Sequence, residues 1–141
     1  MEMETAQDKQ DALVEAWSNV IEGDWNTFDE VFADDVRYED PSTELHGREA
    51  IKDYIETWLD AFPDFEAEFL DVVANDDIVM SSFSTRGTHE GEFQGIPATG
   101  NSFEGIAMSL DRFENNHVVE EINIWDNLTL LQQLEIDPSE L

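Results

Sequence analysis

The 141-residue chain carries 35 acidic and six basic residues, a formal net charge of -29, and no Cys. This balance argues against nucleic acid and anionic membranes as partners, because binding phosphate needs a basic face, and the lack of Cys excludes disulfides and thiolate chemistry. A hydrophobic fraction of 40%, with four Trp and nine Phe, nevertheless favours a folded chain. The length suits one domain, residues 1–141.

The acidic residues are spread along the chain instead of being gathered in a tail. This distribution favours adaptation to a salt-rich cytoplasm, where ions screen the repulsion between carboxylates. An acidic surface for a protein partner is the alternative. The polar, acidic start MEMETAQDKQ is not typical of a signal peptide, and no apolar run is long enough to span a membrane. We therefore expect an acidic, halophilic, cytoplasmic protein.

Apolar residues at helical spacing predict three helices in the first half of the chain, around 13–21, 28–32 and 50–62. Gly23 ends the first helix and Asp24 is placed to cap the second. Between the second and third helices, DVRYEDP alternates and stops at Pro41, which predicts a short strand.

From Phe65 onward the apolar period changes to two, which predicts strands at roughly 65 to 74, 77 to 89, 101 to 114 and 117 to 126. The segment EEINIWDNLTLLQQL then passes from the last strand into a short apolar helix. Helices followed by a long meander predict an α+β fold with a mostly antiparallel sheet. A strongly bent sheet wrapped around the helices would enclose a cone-shaped cavity.

Segments along nearly the whole chain resemble one family. The stretch from GTHEGEFQGIPATG to INIWDNLTLLQQL is similar to the C-terminal half of the SnoaL-like ester and polyketide cyclases, in the nuclear transport factor 2-like (NTF2-like) superfamily. FADDVRYEDP, HGREAIKDYI and AFPDF match the N-terminal half. The resemblance implies one α+β cone, commonly a homodimer, whose sheet encloses an acid/base pocket that uses no cofactor.

The chemistry that this resemblance implies is an intramolecular aldol closure, in which a carboxylate removes a proton next to a carbonyl. In the family pattern the last strand carries an Asp where this chain has Asn123. A carboxamide cannot accept that proton, although it can donate a hydrogen bond to an oxyanion. By alternation Glu121, Asn123 and Trp125 share one face, whereas Ile122, Ile124 and Asp126 share the other.

Glu121 is therefore the candidate for the missing base, and Asn123 for the oxyanion donor. The alternatives are that Glu121 is one more solvated acid and that Asn123 bonds to a neighbouring strand. Asp126 is a further acid/base candidate, or the N-cap of the last helix. His89 could shuttle protons or orient a carbonyl, or bond the backbone of its own loop.

Five residues are candidates for binding a ligand. Arg86 and His89 are three positions apart, so on a strand without a bulge their side chains point to opposite faces and only one of them faces the cavity. The hydroxyl of Tyr38 points into the cavity mouth or packs in the core. Trp58, Phe103 and Trp125 are candidates for the cavity wall. Three dispersed His residues without metal-ligand spacing argue against a metal site.

The sequence thus predicts acid/base chemistry without a cofactor, a cyclisation or an isomerisation, on a small hydrophobic or polyketide-like carbonyl compound. Whether the protein is an enzyme stays open at this stage. A non-catalytic protein that binds a small ligand is the alternative, favoured by the carboxamide at position 123. A purely structural dimer with a filled cavity is the third.

Overall fold

The computed structural model describes residue 3 and residues 5–141, in which helices flank one six-stranded sheet. The helices are α1 (Ala6–Ile21), α2 (Asn26–Val31), α3 (Arg48–Ala61) and α4 (Asn127–Gln133), followed by a 3-10 turn (Pro138–Glu140). The strands are β1 (Phe32–Asp40), β2 (Thr43–His46), β3 (Glu66–Ala74), β4 (Ile78–Thr88), β5 (Ser102–Glu114) and β6 (His117–Trp125). Among these helices, none is both long enough and apolar enough to cross a membrane.

The sheet has the strand order β2-β1-β6-β5-β4-β3. Strands β3 to β6 form an antiparallel meander, and only the pairing of β1 with β6 is parallel. The turn between β5 and β6 contains Asn115 and Asn116, both with positive φ, as a tight two-residue hairpin requires. The predicted α+β fold with a mostly antiparallel sheet is confirmed.

Helix α1 has clear signals at both ends. At its start, Thr5 Oγ1 accepts a hydrogen bond from Asp8 N at 3.0 Å, while Thr5 N donates to the Asp8 carboxylate at 3.2 Å. This reciprocal capping box satisfies two backbone donors that would otherwise lack partners. After its end, Gly23 has φ +91°, a value that glycine adopts without steric cost. The predicted end of the helix at Gly23 is confirmed.

The N-terminal elements differ from prediction in three places. Phe32 begins β1 instead of continuing α2, because it pairs with Val118 of β6. The N-cap of α2 is Trp25, although Asp24 Oδ1 does accept a hydrogen bond from Asn26 N at 2.9 Å. Strand β2 was not predicted, since only four residues form it. The four strands of the meander begin and end within one residue of prediction.

Two apolar clusters support the two ends of the molecule. The first lies between α1, α2 and the sheet, where Phe28 and Phe32 stack with ring centroids 4.3 Å apart. The second gathers the end of α3, α4 and the loop after β4 around Phe62. Burying one such aromatic side chain stabilises the fold by roughly 1.5–3 kcal/mol. Trp17 packs on the first cluster and Trp58 on the second, and both line the space between them.

Candidate functional site

A cavity of about 200 Å³ lies between the inner face of the sheet and helices α1, α3 and α4. Its walls are mostly apolar, and the aromatic residues among them are Trp17, Tyr38, Tyr54, Trp58, Phe65, Phe69, Phe83, Phe103 and Trp125. A dry cavity of about 150 Å³ holds one benzene molecule, so this space suits a small organic ligand. The cavity adjoins a second recess whose lining includes Glu22, Glu66, Glu68 and Glu104.

The alternation of β6 sets which side chains meet this cavity. Glu121, Asn123 and Trp125 line it, while Ile124 is 64% exposed on the opposite face of the sheet. Trp125 packs edge-on against Trp58 of α3, with ring centroids 5.5 Å apart. The three β6 residues that alternation predicted on one face therefore lie together on the inner face of the sheet, the face that the family resemblance implied.

Glu121 is 1% exposed, although it is one of 35 acidic residues in a highly charged chain. Its Oε1 accepts a hydrogen bond from Trp17 Nε1 at 2.8 Å, and its Oε2 has no partner among the described residues. Burial raises the pKa of Glu121, while hydrogen bonds with Asp111, Trp17 and Asn123 partly oppose that rise. The interpretation of Glu121 as a solvated surface acid is therefore wrong.

Asp111 of β5 lies directly opposite Glu121 and is fully buried. Its Oδ2 accepts a long hydrogen bond of 3.4 Å from Ser109 Oγ, and its Oδ1 has no partner in the described chain. Burial and the neighbouring Glu121 raise the pKa of Asp111 well above its usual range. Sequence reasoning missed this residue. The only indication in the sequence was its spacing: Asp111 is two positions before Phe113, so alternation places both side chains on the same face of β5.

A second polar group of the inner face is centred on Asp40, at the end of β1. Its carboxylate accepts hydrogen bonds from the hydroxyls of Tyr38, at 2.8 Å, and Tyr54, at 2.7 Å, and from Ser42 N at 2.7 Å. Asn123 Nδ2 donates to the Tyr38 hydroxyl at 3.1 Å. Burial, followed by the charge of Asp40, raises the pKa of Tyr38 well above its usual range. Tyr38 therefore stays protonated at neutral pH, facing the cavity.

His89 does not line the cavity, which corrects the expectation that it acts there. Its side chain is fully buried beside Phe62 and Phe93, behind the loop that follows β4. His89 Nδ1 accepts a hydrogen bond from Thr99 N at 3.2 Å. The alternative, that this His binds its own loop, matches the structure. Because β4 ends at Thr88, strand parity no longer determines the direction of the next side chain.

Arg86 and Asp126 lie towards the outside of the site. Arg86 Nε donates to Glu66 at 2.6 Å, and Arg86 lines the outer recess but not the cavity, so neither Arg86 nor His89 faces the cavity. Asp126 Oδ1 accepts from Thr129 N at 3.0 Å as the N-cap of α4, at the edge of the cavity. These hydrogen bonds lower the pKa of Asp126, which favours the capping interpretation.

The remaining predicted ligand-binding residues line the cavity. Trp58 and Phe103 form part of its wall, together with Tyr38 and Trp125. Phe103 also packs edge-on against Phe62, with centroids 5.0 Å apart, which joins the wall to the second apolar cluster. Within the described residues, no three His, Asp or Glu side chains converge as metal ligands would.

Comparison with known proteins identifies the family of this arrangement. A family model described as SnoaL-like polyketide cyclase matches residues 7–134. The chain belongs to this family. No curated protein matches the chain significantly. The family match covers α1 through α4, and so includes every strand that contributes to the cavity.

Solved structures of this SnoaL-like fold superpose along nearly the whole chain. IdmH from Streptomyces antibioticus, a candidate polyketide cyclase, is 30% identical over 91% of this chain and 99% of its own, with a TM-score of 0.77. A candidate SnoaL-like polyketide cyclase from Jannaschia sp. CCS1 is 17% identical over 98% of this chain and 99% of its own, with a TM-score of 0.85. AclR, a candidate hydroxylase from Streptomyces galilaeus, is 23% identical over 93% of this chain and 98% of its own, with a TM-score of 0.79.

Proposed function

We propose that this SnoaL-like protein catalyses acid/base chemistry without a cofactor, an aldol cyclisation or an isomerisation, on a small hydrophobic carbonyl compound. One observation carries the proposal: a buried glutamate, Glu121, lies on the wall of an apolar cavity and forms no ion pair within the described chain. Desolvation makes such a carboxylate a stronger base than a solvated one. IdmH, the 30% identical relative, supports the reaction class.

The proposed step begins with a ketone whose α-carbon lies against Glu121. The carboxylate takes the α-proton, the electrons of the C–H bond form the enolate double bond, and negative charge moves to the carbonyl oxygen. In a cyclisation the enolate carbon attacks a second carbonyl of the same molecule, the π electrons of that carbonyl move to its oxygen, and this oxygen takes the proton back from Glu121. In an isomerisation Glu121 returns the proton to another carbon. Neither route requires an external oxidant or reductant.

Asn123 is the proposed donor to the enolate oxygen. Its Nδ2 is bonded to the Tyr38 hydroxyl by a neutral contact of 3.1 Å, and Tyr38 separately donates to Asp40. A substrate oxygen can therefore replace Tyr38 as the acceptor of Asn123 without leaving the tyrosine proton unpaired. A donor aimed at the developing charge typically changes the rate by about 10²–10³-fold.

A second candidate function is binding of a small ligand without catalysis. Asn123 favours it, because the resembled cyclases carry a carboxylate at this position and a carboxamide accepts no proton at neutral pH. In this alternative Glu121 and Asn123 only hydrogen-bond the ligand, and the aromatic wall supplies most of the binding free energy. The two functions differ in one observable, the exchange of the ligand's α-protons.

Exchange of the α-protons of small aryl methyl ketones in deuterated buffer, followed by NMR, tests the proposal. We expect wild type to accelerate exchange, and Glu121→Gln to reduce it to the buffer rate. Glu120→Gln is the matched control, since Glu120 is the preceding residue of β6 and pairs with Arg37 on the other face. Binding of the ketones with no acceleration by wild type would favour the ligand-binding function.

We also propose that a second copy of the chain covers the outer face of the sheet. There, Ile106, Met108 and Ile124 are each more than half exposed, and Met80 is nearly so. Met108 pairs with Ile124 across β5 and β6, so these side chains form one continuous apolar surface. A surface of this kind is unfavourable in water and suits a symmetric contact.

A further inference from the structure

Two carboxyl groups occupy adjacent buried positions on the inner face of strands β5 and β6. Asp111 and Glu121 are register partners on β5 and β6, and both side chains are buried. One oxygen of each group, Asp111 Oδ1 and Glu121 Oε2, accepts no hydrogen bond from any N–H or O–H group of the described residues. A hydrogen bond between two carboxyl groups requires a proton on one of them.

No basic side chain neutralises this pair. All six Lys and Arg side chains contact other groups. Lys9 contacts the Asp76 carbonyl, and both Arg37 and Arg112 contact Glu120. Arg48 contacts Asp34, Lys52 contacts Asp29, and Arg86 contacts Glu66. Two adjacent buried carboxylates without a cation repel each other strongly, and such pairs ionise in two separated steps. The pair therefore retains one proton over a pH range in which solvated carboxyl groups have lost theirs.

The hydrogen bonds indicate which member keeps the proton. Glu121 accepts a hydrogen bond from Trp17 Nε1 at 2.8 Å, so a charge-stabilising N–H donor already serves its carboxylate. Asp111 has only the 3.4 Å contact from Ser109. Glu121 lines the cavity and Asp111 does not. We propose that Asp111 is a positioning residue that stays protonated and donates this proton in a hydrogen bond to Glu121, the carboxylate that faces the cavity.

Other titratable groups near the pair add no positive charge. Asp40 and the Tyr38 hydroxyl on β1 face Glu121, and the Tyr54 hydroxyl on α3 binds Asp40. Burial raises the pKa of both tyrosines above its usual range, so both remain neutral donors. The negative charge of Asp40 opposes a second charge on the pair. Every titratable group around Asp111 and Glu121 thus favours the singly protonated form.

The catalytic consequence rests on the proposed function. Before reaction the pair carries one negative charge, on Glu121, and the ketone is neutral. When Glu121 takes the α-proton, the pair becomes neutral and the enolate carries the charge, so the total charge of the cavity does not change. Asp111 contacts no substrate in this scheme. It holds the Glu121 carboxylate in one orientation, with its reactive lone pair towards the cavity.

Infrared spectroscopy of the full chain tests the proton directly, with no substrate. At pH 8 solvated Asp and Glu are ionised, so a protonated carboxyl band reports a group that retains its proton. We expect such a band in wild type and in Glu120→Gln, and its loss in Asp111→Asn. A wild-type spectrum without the band at any pH from 6 to 8 would overturn the proposal before any variant is made.

Two substitutions at position 111 then separate a positioning role from a packing role. Asp111→Asn keeps a donor of the same shape, so α-proton exchange should stay close to the wild-type rate although the infrared band is lost. Asp111→Leu removes the donor to Glu121, and exchange should fall by about 10- to 100-fold. An Asp111→Asn protein that is folded but as slow as Asp111→Leu contradicts the positioning role. An infrared band without exchange in any variant supports the pair and refutes the proposed function.

Discussion

The two faces of strand β6 place neighbouring glutamates in opposite environments. Glu120 lies on the outer side, partly exposed, 3.5 Å from Arg37 and 3.3 Å from Arg112. Glu121 lies on the inner side, fully buried, with another carboxyl group opposite it and no ion pair to any residue that the structure describes. The residue type and the strand are the same. The direction of the side chain alone separates a solvated ion pair from a desolvated carboxyl group.

The same contrast extends across the sheet. The outer face is unusually apolar for an exposed surface, with Met108 and Ile124 open to solvent. On the inner face, Ser109 and Asn123 line the aromatic cavity, and Asp111 is buried beside Glu121. Buried polar groups cost free energy unless they are paired, and a fold retains them at that cost chiefly where chemistry or binding needs them. The polarity of the inner face is therefore the feature that the following experiments examine.

The largest effect is expected from removing the inner amide. Asn123→Leu deletes the donor proposed for the enolate oxygen, and α-proton exchange should fall by about 10²–10³-fold. Ligand binding, followed by tryptophan fluorescence, should persist because the aromatic wall is unchanged. Ile124→Val, the next residue on the outer face, is the control. If Asn123→Leu exchanged protons as fast as this control, the inner amide would have no part in the reaction.

The second effect is a pH dependence of stability that comes from the inner pair. Asp111 has a raised pKa in the folded state, so the folded protein holds a proton that the unfolded chain releases above its ordinary pKa of 3.8. Stability from this group is complete below that value and decreases as pH rises towards the folded pKa, by at most about 1.4 kcal/mol per pH unit. Denaturation in urea from pH 5 to 8, at fixed salt, should show wild type losing stability relative to Asp111→Asn. Parallel curves for the two proteins would exclude a retained proton.

Salt should act on the outer carboxylates and leave the inner pair unaffected. Ions screen exposed charges, whereas a fully buried pair is screened much less. The melting temperature should therefore rise along a potassium chloride series, because the net charge of -29 is then less repulsive. The wild-type infrared band should stay constant over the same series. A melting temperature that does not rise with salt would reject the halophilic interpretation.

The smallest effect on the cavity is expected from the outer face. Ile124→Lys places a charge in the proposed contact between two copies, so light scattering in molar salt should change from a dimer mass to a monomer mass. The exchange rate should remain near that of wild type, because Ile124 points away from Glu121. A wild-type monomer at micromolar concentration would refute the dimer.

Much of this contrast was predictable from local periodicity. The strand boundaries of β3 to β6 followed from alternation and turn residues, and alternation placed Glu121, Asn123 and Trp125 on one face. Such local patterns report the direction of side chains within one element. The identity of the inner face came from the family resemblance, because the apolar Ile122 and Ile124 would otherwise indicate that the opposite face is buried.

The polar contacts of the site were not predictable because they join distant segments. Trp17 and Glu121 are 104 positions apart, and Asn123 and Tyr38 are 85 apart. Asp111 was missed for another reason. On β5 the outer residues Met108 and Leu110 are apolar while the inner residues Ser109 and Asp111 are polar, so hydropathy indicates the wrong face.

The pH dependence of α-proton exchange most directly tests the central claim, that Glu121 is the base. For wild type we expect a rate that rises as one group loses a proton, with an apparent pKa above that of an ordinary glutamate, since burial raises the pKa of Glu121. Glu120→Gln should reproduce this profile, and Glu121→Gln should stay at the buffer rate at every pH. A folded Glu121→Gln protein that kept the wild-type rise in rate would contradict the account.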